Sequence, residues 1–284
     1  MKMLVIGGQG MAGHMLVRYF CRQESGVDVV YTVRRLAGAA ADNERLLEAA
    51  DFEAVLRMVK AERPDVIVNA AGVLNQDAEE RPVAAYSVNG LLPHWLRHAA
   101  DETGSRLIHI SSDCVFSGSR GGYAETDRPD GTSVYARSKA LGEVTDPRHL
   151  TIRTSIVGPE IRPAGIGLLY WFMRQKGPVK GYARVMWNGV TTLELAKAVE
   201  YAAANPQVGG LVHLTAPQPV SKLELLRLFA EVFDRRGVVI EPSEEPRIDR
   251  TLQATRSDWR YEAQPYRPML EELARWMRPG GLHA

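Results

Sequence analysis

The sequence predicts an α/β protein with a doubly wound parallel sheet and a smaller, mostly helical C-terminal domain. Three observations carry that expectation. Short β-branched runs alternate with longer helical patterns through the first half of the 284-residue chain, and such alternation implies βαβ units. The runs are continuously apolar, as strands covered on both faces must be. A glycine-rich loop joins the first run directly to the first helical stretch. At about 150 residues per domain, the length also fits two domains.

The elements follow in order. Leu4-Val5-Ile6 reads as a strand, and Val27 to Val33 as a second. Phe52, Val55, Leu56 and Val59 fall on one face of a helix. Asp65-Val66-Ile67-Val68 is a short buried strand. Val88, Leu92, Trp95 and Ala99 mark another helical stripe, with Pro93 inside it acting against continuity. Leu107 to Ile110 and Thr151 to Val157 are further strands. Pro159 to Gly189 is rich in Gly, Pro and aromatic residues and has no clean period. Thr191 with Glu194 and Ser221 with Glu224 are capping-box spacings, so helices begin there. Gly210 to Thr215 reads as one more strand, and Met269, Leu273 and Trp276 after Pro268 mark a terminal helix. The expected division is a nucleotide-binding domain over residues 1–157, to which the strand near 210–215 returns, and an interleaved substrate domain over 158–284.

Composition excludes several classes. Hydrophobic residues are 45% and charged residues 24%, ordinary for a chain that buries its own core. Lys plus Arg is 35 and Asp plus Glu is 34, a net charge of +1. Nucleic acid and anionic membranes demand a basic excess, so neither is the expected partner. Cys21 and Cys114 are the only cysteines, which gives no disulfide framework and no metal cluster and fits a reducing cytoplasm. The apolar run at Met3 to Ile6 is shorter than the roughly 7–15 residues of a signal peptide. No run approaches the roughly 18 residues of a membrane span. The expected location is the cytoplasm.

Gly7-Gly8-Gln9-Gly10-Met11-Ala12-Gly13 follows the first strand and opens the first helix. Glycine at 7, 10 and 13 lets the backbone turn tightly and bring Met11 and the helix N-terminus against a pyrophosphate, the Rossmann arrangement. An acidic residue at the end of the second strand would hold the ribose diol of NAD. Arg34 and Arg35 stand there instead, and guanidinium groups suit a 2′-phosphate. The expected cofactor is NADPH, with NADH the alternative. Tyr135 and Lys139 are four residues apart and share one helix face. An ammonium beside a phenol lowers its pKa from about 10 and readies it for proton transfer. Ile110-Ser111-Ser112-Asp113-Cys114 ends a strand at the edge where open α/β sheets bind ligands. His94 and His98 sit four apart on a helix without an acidic ligand and read as an ordinary helix face. Tyr170-Trp171-Phe172, Tyr182 and Trp187 could stack on a base or sugar, or pack the second domain.

With these residues in hand, the chain resembles the extended short-chain dehydrogenase/reductases over essentially its whole length. Within them it looks most like the dTDP-4-dehydrorhamnose reductase branch. The matching elements are the Gly7/Gly10/Gly13 loop, Arg63 to Ala71, Asn89, Ser111 to Gly118, Tyr135/Lys139, Arg153-Thr154-Ser155 and Gly189-Val190-Thr191. The resemblance implies that Asn69, Ala70 and Ala71 line the cofactor site together with the glycine loop, Tyr135 and Lys139. It implies that Ser112 and Tyr135 bond a sugar keto oxygen, that Tyr135 is the general acid, and that Lys139 holds the nicotinamide ribose. Hydride would pass to C4 of a nucleotide-linked 4-keto-6-deoxyhexose. A UDP-linked N-acetylated sugar is the competing substrate, because Cys114 and the stretch Gly165 to Tyr182 depart from the rhamnose pattern. Val73, Asp113, Cys114, Trp187 and Arg256 are the expected sugar-side residues. Of the three arginines Arg247, Arg250 and Arg256, the last matches the family's diphosphate-binding stretch best.

The residues after Ser112 sort related enzymes. Dehydratases of the superfamily carry Asp-Glu there, and this chain has Asp113-Cys114, so dehydration is not expected. Epimerising reductases have a Cys at this offset paired with a His, but Glu160 to Leu169 contains no His. An epimerase using Cys114 is therefore the alternative enzyme, and a non-catalytic NADP-binding regulatory subunit the alternative of another class. Some relatives form a homodimer with a divalent ion, whose ligands find no match in this C-terminal stretch.

Overall fold

The computed structural model describes residues 1–22, 26–36, 41–161 and 165–278. The first half runs β1 (Lys2–Ile6), α1 (Met11–Phe20), β2 (Asp28–Val33), β3 (Glu44–Leu46), α2 (Phe52–Glu62) and β4 (Val66–Asn69). Then come α3 (Asn75–Glu80), α4 (Pro82–Ala85), a π-helical turn (Tyr86–Leu91), α5 (Leu92–Thr103), β5 (Arg106–Ile110), α6 (Val134–Leu141) and β6 (Leu150–Arg153). The second half opens with β7 (Ile156–Val157), α7 (Leu168–Met173), β8 (Val179–Tyr182), β9 (Val185–Trp187), β10 (Val190–Thr191) and α8 (Thr192–Ala204). It closes with β11 (Gly210–His213), β12 (Val220–Ser221), α9 (Lys222–Val232), β13 (Ile240–Ser243), β14 (Ile248–Asp249) and α10 (Tyr266–Met277).

Among the described residues seven strands form one parallel sheet in the order β11-β6-β5-β4-β1-β2-β3. The order reverses at β1, which places a crevice at the carboxyl ends of β1 and β4. Successive side chains of a strand point to opposite faces. Met3 and Val5 therefore join one core with Met15, Leu16, Phe20, Ile108 and Ile152 under α1 and α8. Leu4 and Ile6 join the other with Val55, Val59, Leu92, Leu96 and Leu107 under α2 and α5. Burial on both faces is why these strands carry no polar alternation.

Local chemistry sets the helix ends. Asp51 accepts from Ala54 N at 2.9 Å and opens α2. Ser221 and Glu224 bond each other's backbone N–H groups and open α9. Thr191 accepts from Glu194 N at 3.1 Å, but the return half of that box is missing. The Glu194 carboxylate instead accepts from Tyr261 Oη at 2.8 Å and Gln264 N at 3.1 Å, tying α8 to the chain before α10.

Three expectations change. The run from Thr151 to Val157 is two strands, because Thr154 turns away to donate to Leu214 O at 2.8 Å and β7 pairs with β10 outside the large sheet. The stripe through Val88 and Leu92 is broken by the π-helical turn, which places Pro93 in the first turn of α5, where a missing N–H costs nothing. β3 was not expected, since Glu44-Arg45-Leu46 is charged and forms the exposed edge. Beyond the sheet, α7, α9 and α10 pack with short strand pieces, β8 on β13 and β9 between β12 and β14.

Removing the α9 cap gives a direct check on this local reading. Ser221→Ala should cost about 1 kcal/mol, seen as a lower urea midpoint at unchanged slope.

Candidate active site

The crevice at the carboxyl ends of β1, β4 and β5 opens into a cavity of about 600 Å³. The glycine loop forms its floor. Gly7 has φ +86°, a left-handed backbone suited to glycine. A Cβ on Gly13 would lie 2.1 Å from Gly7 O, so only a hydrogen fits there. A Cβ on Gly7 would meet Ala71 Cα at 2.9 Å, so the loop after β4 presses against it. Gly8 N and Gly7 N are bonded to Thr32, and Gly10 N to Gly7 O. The N-terminus of α1 carries no acidic side chain and no side-chain cap. Its open N–H groups and dipole favour an anion. Gly7, Gly10, Met11, Ala70 and Ala71 line the cavity, and Arg34 stands at its rim with Leu47 to Ala50.

Not every expected cofactor residue faces the space. Asn69 is fully buried; its Oδ1 accepts from Ala71 N at 3.2 Å and its Nδ2 sits 3.1 Å from His109 Nδ1. It shapes the loop that Ala70 and Ala71 present. Gly13 acts in the same way, by allowing the turn. Arg35 is exposed and does not line the cavity, whereas Arg34 does.

At the other end the cavity reaches Ser112, Asp113, Cys114, Tyr135, Lys139 and Val73. The α6 helix, capped by Ser133 on Ala136 N at 3.0 Å, turns Tyr135 and Lys139 to one side. Asn89 fixes that helix to the loop after β4. It bonds Val73 N and Val73 O at 2.9 Å each and Ser138 Oγ at 3.1 Å. Ser112 accepts from Cys114 N at 3.1 Å and donates to Asp113 Oδ1 at 3.2 Å. Beneath them lies a buried ion pair. Arg153 makes a bidentate bond to Glu143 at 2.6 and 2.7 Å, and Ser111 Oγ donates to the same carboxylate at 2.8 Å. Glu143 was not expected; it holds the Ser111-Ser112 strand end against β6.

The electrostatics correct one expectation. Tyr135 is pushed above the usual phenol value, first by burial and then by the neighbouring Cys114 and Asp113, while the Ser112 hydroxyl opposes this. Lys139 does not lower it. Its ammonium donates to Ile110 O at 2.6 Å, and burial brings its own pKa down to about 8. Burial, reinforced by Asp113, pushes the Cys114 thiol up to about 12. A shift in that direction disfavours the thiolate that proton exchange at carbon would use.

Two expected sugar-side residues lie elsewhere. Trp187 is buried behind the cavity, stacked on Tyr266 at 5.5 Å. Arg256 pairs with Asp258 and donates to Gly209 O at 2.5 Å and Leu211 O at 3.0 Å, which anchors the edge strand β11. Arg250 Nε donates to Phe116 O at 2.9 Å, with its charge felt at Asp113. Arg247 lines a second cavity of about 410 Å³ with Arg120, Arg184 and Asp249. Of the aromatic cluster, Trp171 lines the main cavity and Phe172 is core. His94 bonds Leu141 O and His98 pairs with Glu102, so the two rings serve different partners. Among the described residues no group of three or more His, Cys, Asp or Glu side chains could hold a metal ion. Part of Glu160 to Leu169 lies outside the described residues.

A parallel sheet whose order reverses at β1, a glycine-turned helix N-terminus, and Ser112, Tyr135 and Lys139 at the inner end of the crevice define a protein of the Rossmann-type α/β class. The family model described as RmlD substrate binding domain matches residues 1–258, and the chain belongs to that family. It is 31% identical over 231 residues to a dTDP-4-dehydrorhamnose reductase of Burkholderia thailandensis, covering 76% of this chain and 73% of that protein. It is 34% identical over 175 residues to the enzyme of that name from Salmonella typhimurium, covering 57% of this chain and 58% of that protein. The chain thus spans less than two thirds of the second relative's length. Among solved structures, a dTDP-4-dehydrorhamnose reductase of Bacillus anthracis in complex with NADP shares the fold. Its TM-score is 0.81 at 19% identity, over 98% of this chain and 99% of that one. A UDP-glucose 4-epimerase of Thermotoga maritima shares it too, with a TM-score of 0.77 at 17% identity over 98% and 99%.

The raised Cys114 thiol makes a prediction. At pH 8 iodoacetamide should label the exposed Cys21 and leave Cys114 unmodified in the folded protein, as mapped by peptide mass spectrometry. Rapid labelling of Cys114 would show an ionised, accessible thiol.

Proposed function

We propose that this chain is an NADPH-dependent reductase of the C4 keto group of a nucleotide-activated 4-keto-6-deoxyhexose. The observation that carries the reading is the meeting of Ser112, Tyr135 and Lys139 at the inner end of a dinucleotide-sized cleft. Reduction of a ketone needs a proton for the oxygen that becomes a hydroxyl. A phenol held in its neutral form is the species able to give it.

The cleft fits the cofactor on its own terms, since glycines 7 and 13 leave room for backbone alone and the α1 N-terminus is uncapped. Gly10 and Met11 would hold the pyrophosphate, and Arg34 at the rim the 2′-phosphate. Lys139 would hold the nicotinamide ribose. Bound there, the reduced dinucleotide supplies the hydride. Ser112 and Tyr135 orient the keto oxygen, and Tyr135 passes its proton to that oxygen. Burial of the site excludes water and strengthens these hydrogen bonds. Residues 158–284, without β11, supply the sugar-side wall, which Trp171 supports by lining the cavity. Among the described residues no helix is long and apolar enough to cross a membrane; we place the protein in the cytoplasm, where its nucleotide cofactor is found.

Loss of NADPH absorbance with dTDP-, UDP- and GDP-linked 4-keto-6-deoxy sugars tests the reading and names the base. Silence across that panel, with NADPH still bound, would overturn it. Tyr135→Phe should lower kcat by about 100-fold or more and leave NADPH affinity unchanged. Arg34→Ala should weaken NADPH about tenfold and leave NADH unaffected, read by fluorescence titration.

A further inference from the structure

Glu160 places a carboxylate where an anionic cofactor is expected. It is half-buried on the chain that leaves β7, and it lines the same cavity as Gly10 and Met11. A like charge beside a diphosphate opposes binding. The contacts of the carboxylate show what it does instead. Glu160 Oε1 accepts from Gly167 N at 2.5 Å. Gly167 is the residue before α7, with φ −66° and ψ 147°. A Cβ on it would lie 2.5 Å from Met11 Cε and 2.7 Å from Glu160 Oε1. A Cβ on Gly165 would lie 2.8 Å from Glu160 Cδ. The two glycines let the chain close around the carboxylate, and the same chain rests on the first residue of α1.

Firm packing flanks this contact. β7 pairs with β10, and Leu169 and Phe172 of α7 lie in the core, with the Phe172 ring centroid 5.9 Å from that of Phe229. Ile166 and Trp171, on either side of Gly167, line the cavity and stay 56% and 39% exposed. Large apolar side chains left open at the edge of a cleft mark a surface that a ligand covers. Met11 opens the helix whose N–H groups face the crevice, so the ligand beside Gly167 is the dinucleotide.

We propose that Glu160 is a positioning residue, its carboxylate holding Gly167 on Met11 so that Ile166 and Trp171 wall the cleft and slow the release of the bound dinucleotide. This rests on the reductase reading for the identity of the cofactor. The hydrogen bond is what the wall needs, and the charge is not.

Two neutral variants separate the bond from the charge. E160Q keeps an acceptor oxygen, and E160A has none. Release is followed by stopped flow, as the fluorescence lost when excess NADP displaces bound NADPH. E160A should release NADPH about fivefold faster than E160Q, with association rates alike. Gly167→Pro suits the observed φ and lacks the donor, so it should release NADPH as fast as E160A. Equal release from E160A and E160Q overturns the proposal, as does a Gly167→Pro that releases as slowly as E160Q or a wild type that binds no NADPH. If release separates E160A from E160Q while no 4-keto sugar consumes NADPH, the reaction is wrong and the wall stands. If NADPH is consumed and release does not separate them, the wall is wrong and the reaction stands.

Discussion

The close approach of Gly13 to Gly7 is the contact on which the site depends. A Cβ at 13 would sit 2.1 Å from the Gly7 carbonyl oxygen. With hydrogen there, α1 starts directly above the end of β1 and aims its open N–H groups into the crevice. Because Ala71 packs against Gly7, the loop after β4 settles at the same depth. That loop carries Val73, which Asn89 ties to the helix of Tyr135. The position of the phenol therefore rests on a chain of contacts that begins with a missing methyl group.

Burial tunes the chemistry more than charge pairing does. The same desolvation that raises Tyr135 and Cys114 lowers Lys139 and Lys222 to about 8. Each shift favours the neutral form. For Tyr135 and Cys114 the shift favours the form that keeps its proton. The buried Arg153–Glu143 pair is the exception, with both charges satisfied by bidentate geometry and Ser111. Losing one partner of such a pair costs roughly 3–5 kcal/mol, so it acts as a rigid footing for the Ser111-Ser112 strand end.

Much of the fold was legible in the sequence because it follows from short-range rules. The apolar runs of β1, β4 and β5 need only a period of two and cover on both faces. The glycine spacing, the Ser221–Glu224 box and the Tyr135–Lys139 pair each span a few residues. Even the errors are instructive. Thr191 and Glu194 have the spacing of a capping box, yet Glu194 was claimed by Tyr261 and Gln264 from 67 and 70 residues away. Local spacing states what a residue can bond, and a distant competitor decides what it does bond.

By itself, then, the sequence determined the sheet, the glycine turn and the shared helix face of Tyr135 and Lys139, because periodicity and turn sterics act within a few residues. Only the tertiary structure decided which long polar side chains meet. It sent Arg256 to the edge strand β11, put Trp187 behind the pocket and set Lys222 over the Trp187 ring. Those pairings join residues far apart along the chain, with no period to announce them. They arise because packing the second half against the sheet leaves a charged group either solvated, paired or facing a ligand.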